Sequence, residues 1–184
     1  LFNDKMLKRR ADLRDLGNNN IFINDKNSLN IVFFRGLPLL NTTKNLLQLT
    51  YLSNDHWLLE YVNLSIFLGI YKGKSIYAHN ISKDIVEKKD QDVDSYLNQK
   101  ILQDNLISNC SFKDLKTNLI NLQKDDCTIA GTGRSLINWN LNNKYCSKCG
   151  FLLFSINSGW ETKCENCNKH NFPRIDPVVI ILIT

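Results

Sequence analysis

The 184-residue chain has no run of eighteen or more apolar residues and no secretory signal pattern at its start. No segment therefore reads as a membrane-spanning helix or a cleaved leader. It has no internal repeat and no strong charge of either sign. The formal net charge of +5 is spread along the chain, so the pull toward an anionic partner is weak. It is poor in histidine, with three, and His56 and His79 stand without a Ser, Cys or Glu in an informative pattern. They read as structural residues. Gly131-Thr132-Gly133 lacks a preceding strand and a third glycine, which excludes a dinucleotide-binding fingerprint.

What the chain does have is cysteine in pairs. Cys146 and Cys149 form one C-x-x-C, Cys164 and Cys167 another, and fourteen residues separate them. This is metal-ligand spacing, one residue short of the usual inter-pair range. Each pair can bend into a knuckle that aims two thiolates at one point. Four thiolates around one ion make the closed tetrahedral shell of a structural zinc, with no open position for water. The candidate metal ligands are thus Cys146, Cys149, Cys164 and Cys167. His170 could replace one of them, but the four cysteines already fill the shell. A disulfide-paired set or four unrelated thiols fit the doubled spacing less well. A reduced zinc site argues for an intracellular location. Cys110 and Cys127 stand alone and read as small buried hydrophobes.

Between the knuckles, Phe151–Ile156 is strand-like, Asn157-Ser158-Gly159 is a turn and Trp160–Lys163 returns, a hairpin opened by Gly150. A thirty-residue ribbon cannot employ all the apolar residues, 43% of the chain, so a core-bearing domain must precede it. The periodicities there predict a helix over Asp4–Leu16 with Gly17 behind it. Strands follow at Ile21–Ile23 and Leu29–Arg35, the second broken by Gly36-Leu37-Pro38. Further strands are expected at Leu46–Leu52 and Trp57–Val62, then a hairpin of Leu64–Tyr71 and Ser75–His79 about Lys72-Gly73-Lys74. Asp84–Tyr96 reads as a charged loop, and Leu97–Ile107 as a helix. Ser111 with Asp114 resembles a capping box opening a helix over Phe112–Leu122. Asp125-Asp126 is expected to cap a helix from Thr128 to Leu141, where Gly131 and Gly133 suggest close packing. Pro177–Thr184 reads as a buried central strand whose neighbours lie beyond the chain, so the sequence is expected to be a piece of a longer protein.

Several stretches together resemble one family. Ala130–Trp139, Lys144-Tyr145-Cys146, the second knuckle and Phe172-Pro-Arg-Ile-Asp-Pro-Val-Val-Ile180 are similar to the NADH pyrophosphatase branch of the Nudix hydrolases, in its eukaryotic peroxisomal NAD-capped RNA hydrolase type. Arg35–Leu40 resembles a motif of that family's N-terminal domain. The resemblance implies an α+β chain: a mixed α/β domain over 1–143, a zinc ribbon over 144–173, and the first strand of a Nudix domain over 174–184. It implies hydrolysis of the pyrophosphate of NADH or NAD⁺ to nicotinamide mononucleotide and AMP, removal of NAD caps from RNA, and a homodimer located in the cytoplasm or peroxisome without membrane attachment. The reaction needs Mg²⁺ or Mn²⁺ on glutamates of a box G-x₅-E-x₇-R-E-x₂-E-E-x-G. No such box occurs in the 184 residues, so no catalytic residue is assigned in this chain. Phe172 stands where the family has an aromatic lining the substrate pocket; it is the candidate substrate contact, or else a packing residue. Asp176 reads as fixing the turn before Pro177. Two other readings fit the ribbon: a nucleic-acid-binding module, for which Lys144, Lys148, Lys163, Lys169 and Arg174 speak against Glu161, Glu165 and Asp176, and a dimerisation segment.

Overall fold

The computed structural model describes residues 7–14, 27–43, 46–82 and 92–174. Its architecture is α+β. A mixed seven-stranded sheet with three helices comes first, then a small antiparallel three-stranded sheet that carries the four cysteines.

Two apolar strands make the centre of the large sheet. β2 (Leu29–Phe34) and β6 (Lys74–Ile81) run parallel, with Ile31 opposite Ala78 and Phe33 opposite Asn80. Both faces of this pair are covered, which is why β2 reads as a continuous apolar run instead of alternating with polar residues. Ile31 and Phe33 belong to one core, Val32 and Phe34 to another on the opposite face. Two-residue turns build the neighbours. Arg35-Gly36 links β2 to β3 (Leu37–Thr43), and Lys72-Gly73 links β5 (Val62–Tyr71) to β6. All four turn residues have positive φ, the geometry whose twist matches flanking strands. The start of β3 pairs with β2, and its later half runs between β4 (Leu46–Leu49) and β7 (Cys110–Phe112). A short β1 (Leu7–Lys8) closes the far edge against Tyr71 and Ile70 of β5.

Helices cover the two faces. α1 (Val93–Gln103) turns Leu97 and Ile101 into the core of Val32, Phe34 and Ile81. A short α2 (Leu115–Asn118) precedes α3 (Lys124–Asn142), which lies on the other face and buries Ile129, Ala130, Leu136 and Ile137. Gly133 permits that approach. A Cβ there would meet the Ala78 methyl at 3.0 Å and the Phe33 ring at 3.1 Å.

The structure corrects several expectations. Of the helix expected over Asp4–Leu16, residues 7–14 are described, and they form β1 and one 3₁₀ turn at Ala11–Leu13; the chain there is claimed by the open edge of β5. Leu37 and Pro38 do not end the second strand but begin β3 after a tight turn. Trp57–Tyr61 is a 3₁₀ turn, not a strand, because His56 Nδ1 accepts from the Leu58 N–H and starts it. The last residues of the expected charged loop are helical, since Asp92 caps α1 through the Ser95 N–H. Asp114 is itself the N-cap of a single turn, through the Thr117 N–H, while Cys110–Phe112 pairs with β3 instead of entering a helix. Asp125 and Asp126 sit inside the first turn of α3 and tie it sideways. Asp126 accepts from the Leu49 N–H and the Tyr51 hydroxyl, both at 2.8 Å, and Asp125 from the Tyr71 hydroxyl at 2.9 Å. Cys110 and Cys127 are buried, as expected. Ile21–Ile23, Gly17, Asp176 and Pro177–Thr184 lie outside the described residues.

Candidate metal centre and its docking on the sheet

Two knuckles of the same design bring the cysteines together. In the first, the Cys146 N–H donates to the Phe151 carbonyl at 2.7 Å and the Gly150 N–H to the Cys146 carbonyl at 2.9 Å. In the second, the Cys164 N–H donates to the Lys169 carbonyl at 2.9 Å, again five residues on. Each needs a left-handed residue just after its second cysteine. Gly150 (φ 74°) fills that position in one and Asn168 (φ 54°) in the other; glycine takes it without strain, and asparagine is among the residues that tolerate it best. The glycine is legible in the sequence, whereas Asn168 is one of many asparagines and nothing local marks it. The Lys169 ammonium donates to the Ser147 hydroxyl at 2.8 Å and links the knuckles.

The four Sγ atoms lie within 4.8 Å of one another. Cys146 and Cys167 are 3.5 Å apart at sulfur, Cys149 and Cys164 3.4 Å. A tetrahedral zinc with Zn–S of about 2.3 Å would hold its sulfurs about 3.8 Å apart, so the set fits the ion with small adjustment. The donors suit it too. The Lys148 N–H points at Cys146 Sγ at 3.4 Å. Hydrogen bonding, led by the Phe151 backbone N–H and joined by the Asn166 side chain, lowers the Cys149 thiol to about 6, while at Cys167 the lowering pull of the Lys169 backbone N–H is outweighed by burial and the three neighbouring cysteines, which push the thiol up to about 12, so the protons are shared unevenly within the cluster. This cluster could hold Zn²⁺. His170 is not part of it: its Nδ1 pairs with Glu161 Oε1.

The ribbon does not hang free. β8 (Leu153–Ile156) and β9 (Glu161–Cys164) form the hairpin, and β10 (His170–Asn171) adds a third strand. Their connecting turn plugs into the large sheet. Trp160 belongs to the main core, and its indole N–H donates to the Phe67 carbonyl at 2.6 Å. The Arg14 guanidinium lies 3.6 Å from the centre of its ring, within cation–π range. Gly159 sits at φ +90° on β5, where a Cβ would fall 2.6 Å from Ile66 Cγ1. Asn140 of α3 donates to the Gly159 carbonyl at 2.9 Å, and the Ser158 hydroxyl to the Arg14 carbonyl at 2.9 Å. Periodicity assigned Trp160 to a returning strand and gave no sign of this docking.

The ribbon also exposes aromatic surface. Tyr145, Phe151, Phe154 and Phe172 are all exposed, Phe172 at 60%, with Lys144, Lys148 and Lys169 on the same element. Glu161, set against these lysines by sequence, is buried and held by Asn157 and His170, so it contributes less negative charge to this surface than its sequence position implied.

Comparison with known proteins decides the family. Residues 27–139, more than half of the chain, match the NADH pyrophosphatase-like rudimentary NUDIX domain. The chain belongs to this family. The matched span runs from the turn before β2 almost to the end of α3, and the metal cluster follows it. Curated relatives align over shorter stretches. Nudix hydrolase 19, chloroplastic, of Arabidopsis thaliana is 39% identical over 61 residues, 32% of this chain and 14% of the plant protein. The NAD-capped RNA hydrolase NudC of Pseudomonas putida is 26% identical over 80 residues, 42% of this chain and 28% of that protein. NudC of Escherichia coli is 31% identical over 55 residues, 30% of this chain and 21% of the bacterial protein. The aligned region thus spans less than a third of each of these relatives. Among the described residues, no helix is long and apolar enough to cross a membrane.

Proposed function

We propose that the chain is the N-terminal and zinc-ribbon portion of a Nudix NAD(H) diphosphatase, an enzyme that hydrolyses the pyrophosphate of NADH or NAD⁺ to nicotinamide mononucleotide and AMP and removes NAD caps from RNA. The observation that carries this reading is the family match over 27–139 followed directly by a four-cysteine cluster. Relatives named as NAD-capped RNA hydrolases support it.

In this reading Cys146, Cys149, Cys164 and Cys167 hold one Zn²⁺, which closes the two knuckles and supplies no Lewis-acid site, since its shell is full. The ribbon's contribution is positional. It is anchored through Trp160 to the large sheet and hands the chain on at Phe172-Pro173-Arg174. Phe172, exposed at that exit, offers a phenyl face for stacking on a base, worth about 1–3 kcal/mol. The carboxylates that would bind Mg²⁺ or Mn²⁺ are not among the 184 residues, and the reading assigns them to the remainder of a longer protein. Units over 1–143, 144–173 and 174–184, a homodimer, and a cytoplasmic or peroxisomal location complete it.

The test is the reading frame beyond Thr184. An intact glutamate box is expected there. The protein carrying it should release nicotinamide mononucleotide and AMP from NADH with Mg²⁺, and the 184-residue chain should release neither. A stop codon or a box without its glutamates overturns the reading. One observation favours a second one: the ribbon exposes Tyr145, Phe151, Phe154 and Phe172, rings of the kind on which single-stranded RNA stacks. Strongly salt-dependent binding of uncapped RNA by this chain, without any hydrolase in the remainder of the gene, would establish that module instead.

A further inference from the structure

The 3₁₀ turn Trp57–Tyr61 and helix α1 meet on the face of the sheet opposite α3, and three rings converge there on one ammonium. Lys100 Nζ lies 4.2 Å from the centre of the Trp57 ring, 5.4 Å from that of Tyr61 and 5.8 Å from that of Tyr96. All three fall within the roughly 6 Å reach of a cation–π contact. Separate contacts set these walls. Trp57 and Tyr61 stand edge to face, with 79° between their planes, and the Trp57 indole N–H donates to Asp104 Oδ2 at 2.8 Å. Tyr96 sits one turn before Lys100 on α1, on the same side of the helix. All three aromatic residues pack on the core of Val32, Phe34 and Leu58, yet each stays partly exposed, as does Lys100. Among the described residues, no carboxylate lies within ion-pair range of the Lys100 ammonium. The rings hold it instead.

We propose that Trp57, Tyr61 and Tyr96 form a cage that binds a methylated ammonium group of a ligand, with Lys100 as its removable plug. A bare ammonium carries three N–H donors, which ring faces satisfy poorly. A quaternary ammonium has the same charge and no donors, so it enters between the rings without giving up hydrogen bonds to water. Recognition of such groups by several aromatic faces is an established use of the cation–π attraction. The Lys100 side chain is a flexible four-carbon stem, and being half-buried it can swing to solvent while α1 stays in place. The preference among ligands follows: positive charge is required, and N–H donors are a handicap. The cage lies on the face of the sheet away from α3 and the docked Trp160. It depends neither on the metal cluster nor on pyrophosphate hydrolysis.

Proton NMR titration of the zinc-loaded chain with choline, with Nα-acetyl-trimethyllysine amide and with its unmethylated counterpart tests the cage. The methyl resonance of both quaternary ligands is expected to move upfield, because it enters the shielding cones of the rings. The unmethylated amide should bind about tenfold more weakly, or less still. Lys100→Ala suits a helix and removes the plug, and it should tighten choline about tenfold. Tyr96→Leu keeps apolar contact with the core. It should weaken choline about fivefold with little change in melting temperature. Tighter binding of the trimethyllysine amide than of choline would identify the source as a methylated peptide; the reverse, as a small choline-type molecule. The neutral tert-butyl isostere of choline should not bind. No upfield shift at millimolar concentration of either quaternary ligand, equal binding of the neutral isostere, or an unchanged choline affinity in Lys100→Ala would show that the rings serve only to seat Lys100, and overturns the proposal.

Discussion

The large sheet and the ribbon solve the same problem by opposite means. The sheet buries Ile31, Val32, Phe33, Leu39, Leu40, Ile66, Leu68 and Ile76 completely, or within 1% of it, and its stability is that of removing apolar surface from water. The ribbon leaves Phe151, Leu152 and Phe154 exposed. Its three short strands could not stand on burial alone, and their cohesion falls to four sulfurs at one end and one indole at the other. A strand of the sheet can therefore lose a methyl group and survive, whereas the ribbon depends on a few residues, each without a substitute.

Removing a sulfur should produce the largest effect. Cys164→Ser is expected to abolish binding of one zinc per chain, measured by metal analysis of reduced protein, and to collapse β8–β10. The sheet should keep its circular dichroism while losing part of the support from Trp160. Full zinc retention would break the comparison. Next comes the other anchor. Trp160→Ala removes a large side chain from the main core together with its bond to Phe67, and should cost about 3–5 kcal/mol in urea denaturation. Because the indole bridges both regions, the variant is also expected to melt in two steps where the parent melts in one.

His79 separates the regions by pH. It is fully buried, and burial lowers its pKa to about 3. Its Nε2 lies 3.0 Å from Asn30 Oδ1 and its Nδ1 2.8 Å from Ser65 Oγ. Asn30 Nδ2 already donates to Leu52 and Asn54, so Asn30 Oδ1 accepts from a proton on Nε2, and Ser65 donates to Nδ1. The folded imidazole is thus neutral, while the unfolded one titrates near 6.5. Its contribution is fully present above about pH 6.5. It is lost as pH falls from there toward 3, because only the unfolded state takes up the proton. At pH 5 the loss should reach about 2 kcal/mol. Stability measured at pH 7 and pH 5 in the parent and in His79→Gln isolates this share, and an equal pH dependence in both contradicts it. The smallest effect is expected at the surface. Arg35 and Asp94 form a 2.5 Å pair with both side chains nearly half exposed. Arg35→Ala should change stability by less than about 1 kcal/mol, as judged by the urea midpoint.

The parts that were legible in the sequence share a property: they repeat at short range. The knuckles are local, with each C-x-x-C setting its own turn, and the Lys72-Gly73 hairpin is a four-residue event. The misread parts depend on distant partners. Leu7 and Lys8 are strand because the edge of β5 is available; Cys110–Phe112 is strand because β3 offers donors and acceptors; Asp126 leaves the capping role because Leu49 and Tyr51, far away in sequence, need an acceptor. No periodicity encodes those needs.

By itself, then, the order of residues determined the cysteine spacing, the central apolar strands and the helical stripe of α3, since each follows from geometry within a few turns of backbone. Only the tertiary structure decided that Trp160 serves the main core, that Glu161 is buried beside His170, and that Trp57, Tyr61 and Tyr96 surround Lys100. These are meetings of residues from separate elements, fixed by how sheet, helix and ribbon pack, and packing is set by the summed burial of the whole chain instead of by any local stretch of it.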